Sequence, residues 1–305
     1  MTRVAAVDVG TNSVRLLVAE PSDGTIPLVA VERLTRITRL GAGVDATGHL
    51  DDAALTRTLD CIGSYADRWA ELRATRVRIT ATSAVRDAAD RGRFFDGVRE
   101  RTGVTAQVLS GEEEARTAFR GAVTSVGGPP PYVVLDIGGG STELIRGTDE
   151  PEAMTSRQLG CVRLTERCLR SDPPTPEEID DANAMVAVEL DEVERLVDPA
   201  SARTLIGVAG TITTLGALHL GLDEHTCEKV HGMRLPASSV RELGAWLAGM
   251  TMGERAELGA MPPGREDVII GGALILAGVM ERFSFAEAVV SEADILDGLA
   301  LGLLD

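Results

Sequence analysis

Aromatic residues make up only 3% of the 305 residues, Lys229 is the only lysine, and no apolar run approaches the roughly 20 residues needed to cross a bilayer. Each shortage excludes something. Few aromatics beside 33 glycines speak against a β-sandwich core and for an α/β protein with many tight turns. The start, Thr2-Arg3, runs straight into an alternating apolar segment rather than a leader peptide. With no span present, the expectation is a cytoplasmic protein that does not associate with membranes. The four cysteines (Cys61, Cys161, Cys168, Cys227) are widely spaced and form no CxxC pair, which speaks against a disulfide framework or zinc and for reduced thiols. The four histidines (His49, His219, His225, His231) show no metal-ligand spacing and are read as structural or surface groups. Excess positive charge is missing too. The formal net charge is −17, the wrong sign for a nucleic-acid binder, and a polyanionic ligand would need a local basic strip.

The chain is long enough for two domains, each with its own core, and 44% of it is hydrophobic. An internal repeat supports that division. Asp8, Gly10, Ser13 and Leu16 recur as Asp136, Gly138, Ser141 and Leu144, a constant offset of 136 − 8 = 128. Each copy reads as strand, glycine turn, strand, with apolar β-branched runs at Val4–Val9 and Val133–Ile137. Between the copies, periodicity predicts helices over 51–70, 94–101 and 110–123 and strands over 77–81 and 105–109. Gly127-Gly-Pro-Pro-Pro131 interrupts the chain and marks the boundary. Beyond it, Thr175-Pro176-Glu177-Glu178 is a helix start. Strands are expected over 205–208 and 288–290, and helices from Thr211 and over 240–247, 267–281 and 294–304.

Three consecutive glycines in Asp136-Ile-Gly138-Gly139-Gly140-Ser141-Thr142-Glu143 let backbone N–H groups converge on an anion. The flanking acids cannot hold a phosphate themselves, and they make sense with a cation between, for which Mg²⁺ suits carboxylate, water and phosphate oxygens. Asp8-Val-Gly10-Thr11-Asn12-Ser13 is the matching loop. Val208-Ala209-Gly210-Thr211 closes a strand and opens a helix, whose N-terminus favours anions. Thr82, Ser83 and Arg86 follow a strand, and Arg86 has the planar fork that clamps phosphate. Ser110-Gly-Glu112-Glu113-Glu114 opens a helix with a capping box. Helical spacing places Glu112 and Glu114 on the two flanks of the apolar face, so periodicity does not choose between them as a base.

Together these segments resemble the Ppx/GppA family of exopolyphosphatases and guanosine pentaphosphate phosphohydrolases, within the actin, sugar-kinase and heat-shock-chaperone superfamily. AVDVGTNSVRLLV, ATSAVRDA, LSGEEEAR, LDIGGGSTEL and GVAGTITTL carry the resemblance across essentially the whole chain. It implies an α/β fold of two RNase H-like domains, 1–126 and 127–305, with an interdomain cleft and with a last helix, about 294–305, packing back on the first domain. It implies Glu114 and Arg86 as catalytic residues. Asn12, Ser13, Thr82, Ser83, Gly138, Gly139, Gly140, Ser141, Gly210 and Thr211 are implied for phosphate, and Asp136, Glu143 and Asp8 for Mg²⁺ (or Mn²⁺).

The expected reaction is Mg²⁺-assisted attack of water on the terminal phosphorus of inorganic polyphosphate. Alternatives are guanosine pentaphosphate as substrate, which would connect the chain to the stringent response, or a non-catalytic regulator that binds (p)ppGpp or polyphosphate. A kinase of the same superfamily would need an adenosine pocket, and no insertion announces one. Two departures from the family point to short chains. Extra C-terminal helical domains are missing, and Ile295-Leu-Asp297-Gly298 replaces Gly-Leu-Arg-Glu-Gly, with loss of a basic residue. A homodimer is expected by analogy with the family.

Overall fold

The computed structural model of the chain describes residues 2–22 and 28–304. Asp305, counted in the expected last segment, lies outside the described residues. Two compact units emerge: Met1–Ser125 with Asp294–Asp305, and Val126–Ala293. Among the described residues, no helix is long and apolar enough to cross a membrane.

The first unit runs β1 (Arg3–Val9), β2 (Ser13–Pro21), β3 (Leu28–Ile37), α1 (Val44–Thr47), α2 (Asp52–Glu71), β4 (Ala74–Ala81), α3 (Ser83–Asp87), α4 (Gly92–Thr102), β5 (Gln107–Val108) and α5 (Gly111–Val123). Its sheet has the order β3-β2-β1-β4-β5, with β1, β2 and β3 an antiparallel meander and β4 and β5 parallel to β1. Strand β1 is buried on both faces, so its period of two sorts residues into two cores. Ala5, Val7 and Val9 pack with Leu59, Ile62 and Phe94, while Val4 and Ala6 pack with Ala118 and Leu299. Asp8 continues the second series. Strand β3 was not read from the sequence because it is an edge strand, whose half-buried Glu32 and Arg33 and exposed Thr35 and Arg36 hide the apolar alternation.

The second unit runs β6 (Tyr132–Ile137), β7 (Thr142–Gly147), β8 (Pro151–Arg157), α6 (Cys161–Cys168), α7 (Pro176–Val197), a 3-10 turn (Pro199–Ser201), β9 (Thr204–Val208), α8 (Ala209–His219), α9 (Cys227–Val230), β10 (Arg234–Pro236), α10 (Ala237–Ala248), α11 (Met252–Ala256), α12 (Ile269–Arg282) and β11 (Glu287–Val290). Its sheet order is β10-β11-β9-β6-β7-β8. Omitting the short antiparallel edge strand β10, this is the order of the first unit again, the RNase H-like arrangement. Thr175 starts α7 with the expected capping box, its hydroxyl accepting from the Glu178 N–H and the Glu178 carboxylate accepting from the Thr175 N–H. One core joins Val133, Leu135 and Ile137 to Leu190, Ile212 and Leu276.

The chain then returns to the first unit as α13 (Ile295–Leu304). Ile295, Leu296, Leu299 and Leu301 are buried there, each removing about 1.5–3 kcal/mol of apolar side chain from water. Glycines permit a close helix crossing. A Cβ on Gly121 of α5 would fall 1.9 Å from the Asp294 carbonyl, and one on Gly298 would fall 2.0 Å from the Thr117 carbonyl. Asp297 is buried and accepts two hydrogen bonds from Arg33 at 2.7 and 2.8 Å. The acid that departs from the family pattern is therefore a partner for β3.

Candidate active site

The repeat holds at the level of hydrogen bonds. In the first hairpin the Gly10 N–H donates to the Ser13 carbonyl at 2.9 Å, and Asp8 lies opposite Arg15. In the second, the Gly138 N–H donates to the Ser141 carbonyl at 3.0 Å, and Asp136 lies opposite Glu143.

Each turn is clamped by the segment that follows its meander. The carbonyls of Gly138 and Gly139 accept from the N–H groups of Cys161, Val162 and Arg163, and Arg163 Nε donates to the Gly140 carbonyl at 2.8 Å. Gly160 makes this approach possible, because a Cβ there would lie 2.3 Å from the Gly139 carbonyl. Since C=O and N–H point oppositely across a trans peptide, the N–H groups of Gly139, Gly140 and Ser141 face away from α6. That leaves three donors for an anion. In the first unit the Thr11 carbonyl accepts from the Gly41 N–H, and the Asn12 carbonyl accepts from the Thr38 and Arg39 N–H groups. The N–H groups of Asn12 and Ser13 face the other way by the same geometry.

Parallel strands bring the remaining first-unit residues to one edge. The carboxyl ends of β1, β4 and β5 lie side by side, with the Thr82 N–H donating to the Val9 carbonyl and the Leu109 N–H to the Ala81 carbonyl. Ligands of open α/β sheets bind at such edges. Thr82 and Ser83 are buried there at the start of α3. Arg86 donates through Nη1 to the Leu109 carbonyl at 3.1 Å and to Glu114 Oε2 at 3.0 Å. Glu114 is buried while Glu112 and Glu113 are exposed, a difference that helical spacing alone did not show. Arg86 is thus the partner that orients Glu114.

Asp8 is buried, and Arg15 binds its Oδ2 through Nε at 3.2 Å and Nη2 at 2.8 Å. Its Oδ1 is buried without a hydrogen-bond partner among the described residues. Burial pushes the Asp8 carboxyl above its usual range, against the pull of Arg15. Arg15 Nη1 also pairs with Asp294, next to α13.

In the second unit the site of that guanidinium is taken by a second acid. Asp136 and Glu143 are both buried, and Ser156 donates to Glu143 Oε1 at 2.6 Å. Two buried carboxylates directly opposite one another repel, and an oxygen-only pair fits Mg²⁺ or Mn²⁺. By the same test Asp8 offers only Oδ1 to a cation.

Gly210 and Thr211 lie in the first turn of α8, at the carboxyl end of β9. Val208 gives α8 no side-chain cap, which leaves the turn's N–H groups to a ligand. Sequence reading missed Arg265. A Cβ on Gly210 would fall 1.6 Å from Arg265 Nη1, so the guanidinium lies across the helix start where a side chain would otherwise be. Nothing periodic announces Arg265. The only local signal is an arginine after the Pro262-Pro263-Gly264 turn.

Of the histidines read as structural or surface groups, two make structural contacts: His225 Nε2 lies 2.8 Å from Glu292 Oε1, and His231 Nδ1 accepts from the Glu292 N–H at 3.1 Å.

The chain is 45% identical to Exopolyphosphatase 2 of Mycobacterium tuberculosis, over 99% of each protein. It is 30% identical to an Aquifex aeolicus Ppx/GppA family member, with a TM-score of 0.84 over 99% of this chain and 97% of that one. A Cytophaga hutchinsonii exopolyphosphatase, 24% identical, shares the fold with a TM-score of 0.91 over 100% of this chain and 98% of that one. Residues 17–305 match the model of the Ppx/GppA phosphatase family, and the chain belongs to that family.

Proposed function

We propose that this chain is an exopolyphosphatase that hydrolyses the terminal phosphoanhydride bond of inorganic polyphosphate, with short chains preferred. One observation carries the reading. A single acid of the Ser110–Glu114 cluster, Glu114, is buried and held by Arg86 at the carboxyl edge where the Asn12 and Ser13 N–H groups are presented. That supplies a positioned base beside anion donors, which phosphoryl transfer to water requires. The 45% identity to Exopolyphosphatase 2 supports the substrate class.

Glu114 takes a proton from water as the water oxygen bonds to the terminal phosphorus. The bridging P–O bond breaks and its electrons pass to the shortened chain, so the products are orthophosphate and a polyphosphate one unit shorter. Each unit presents its own donors for phosphoryl oxygens, the N–H groups of Asn12 and Ser13 in the first and those of Gly139, Gly140 and Ser141 in the second, and preorganised donors of this kind act strongly on developing charge. Asp136 and Glu143 would hold Mg²⁺, or Mn²⁺, which when bound neutralises charge on those oxygens. Thr82 and Ser83 add hydroxyl donors in the first unit, and the helix start at Gly210-Thr211, with Arg265, adds donors in the second. The net charge of −17 opposes a long polyanion, which favours short chains and makes turnover of long ones rise with salt screening.

The test is phosphate release from a size ladder of polyphosphates beside guanosine pentaphosphate, for the wild type and Glu114→Gln. The variant should fold normally and lose roughly 10²–10⁴ in rate, the usual worth of a positioned base. Near-normal turnover by the variant removes Glu114 from the mechanism. Release from the nucleotide with polyphosphate untouched replaces the substrate.

A further inference from the structure

We propose that His225, Cys227 and Glu292 form a binding site for a borderline-soft divalent cation, with zinc the best fit. None of the three is among the residues assigned above to phosphate or Mg²⁺. The donor atoms of the three side chains all lie within 4.8 Å of one another. Zinc bond lengths of about 2.0–2.3 Å put tetrahedral ligands about 3.3–3.8 Å apart, so small rotamer changes would close the site. His225 Nδ1 is buried without a hydrogen bond of ordinary geometry, while Nε2 faces Glu292. One thiol, one imidazole and one carboxylate make a mixed set that suits zinc and not magnesium, which takes oxygen alone.

The scaffold around the three is fixed. Glu292 follows β11 by one residue, and the Ser291 N–H donates to the Gly207 carbonyl at 2.8 Å. Ser291 Oγ donates to the Ala293 carbonyl at 2.7 Å, and His231 Nδ1 accepts from the Glu292 N–H. On the other side the His231 N–H donates to the Cys227 carbonyl at 2.8 Å, and the Gly232 N–H to the Val290 carbonyl at 2.7 Å. Such outer partners hold ligands in place. Cys227 is exposed and the other two are half-buried, so an ion has a way in and a fourth position remains for water. Sequence spacing concealed the site because the third ligand lies 65 positions on (292 − 227). Glu292 is also the second residue before Asp294, where the chain re-enters the first unit, so a bound ion would brace that segment.

The chelator-treated full chain is titrated with Co²⁺ and then with Zn²⁺ in competition. One equivalent of cobalt should give tetrahedral d–d bands and a thiolate charge-transfer band, both displaced by zinc. Cys227→Ser should abolish the charge-transfer band, and Glu292→Gln and His225→Ala should each weaken zinc at least tenfold, since losing an outer partner alone costs about 10–100-fold. In the wild type, zinc should protect Cys227 from iodoacetamide and leave the half-buried Cys168 unchanged, a readout that needs no variant to fold. A cobalt complex without thiolate absorption, zinc uptake unchanged in Cys227→Ser, or unprotected alkylation of Cys227 overturns the proposal.

Discussion

Replacing Gly298 by alanine places a methyl 2.0 Å from the Thr117 carbonyl of α5, where ordinary contact begins at 3.4 Å. One of the two helices must then move by about 1.4 Å (3.4 − 2.0), because the obstacle is backbone. Gly302 lies one turn on in the same helix, and its nearest neighbour is Arg78 Nη1 at 4.0 Å, so alanine fits there. Both changes gain the same helix propensity, about 1 kcal/mol. Only Gly298→Ala adds overpacking, typically about 1–3 kcal/mol. Gly302→Ala should therefore melt above the wild type, and Gly298→Ala about 1–3 kcal/mol below Gly302→Ala, a gap of roughly 2–12 °C at about 2–4 °C per kcal/mol. A shift taken up by α5 carries with it Glu114, the proposed base, three residues before Thr117. A base misplaced by about 1 Å can cost 10²-fold, so phosphate release should fall more steeply than stability. Thermal melts and phosphate release on both variants decide it. If Gly298→Ala matches Gly302→Ala in both measurements, the glycine contact does not hold α5 in place.

Arg33→Ala leaves Asp297 buried without its bidentate partner, and urea unfolding should show a loss of about 3–5 kcal/mol. An unchanged midpoint would show that the pair contributes little. The Glu178 and Glu254 carboxyls are held below their usual value of 4.5 by accepting the N–H groups of Thr175 and Thr251. A depressed folded-state pKa contributes stability above 4.5 that is lost as pH falls through the folded value. The double variant Glu178→Gln, Glu254→Gln should therefore flatten the acid limb of a stability profile between neutral pH and about pH 3. An acid limb that overlays the wild type would refute the assignment.

What the sequence revealed was local. The Asp-x-Gly-x-x-Ser pattern fits within one hairpin, so both copies and their strands could be read directly. The helix opened by Thr175 was legible for the same reason, its cap and its Glu178 being three residues apart. Glu112 and Glu114 could not be separated, because both flank the apolar face and only tertiary burial distinguishes them. The Arg86–Glu114 pair joins the last turn of α3 to the first turn of α5, and no periodicity links those positions. Arg265 and Gly210 are related only by a missing Cβ. Glu292 meets His225 because β11 lies beside β9, a relation that exists only once the sheet has formed.

The same cross-strand position in the two hairpins puts groups of opposite charge beside the repeated aspartate. Asp8 faces Arg15, whereas Asp136 faces Glu143. Two acids directly opposite in a sheet repel, and burial raises that cost. If a cation offsets it, the metal-free protein carries a penalty that Glu143→Gln relieves, while glutamine Oε1 can still accept from Ser156. The metal-free variant should melt at or above the wild type. Added Mg²⁺ should stabilise the wild type, by about 2.7 kcal/mol at 100 times its Kd, and the variant by much less. A purely structural glutamate gives the opposite pattern, a lower melting point without metal and an undiminished gain with it. That outcome would remove Glu143 from the metal site, and it can be read from melting curves without measuring turnover.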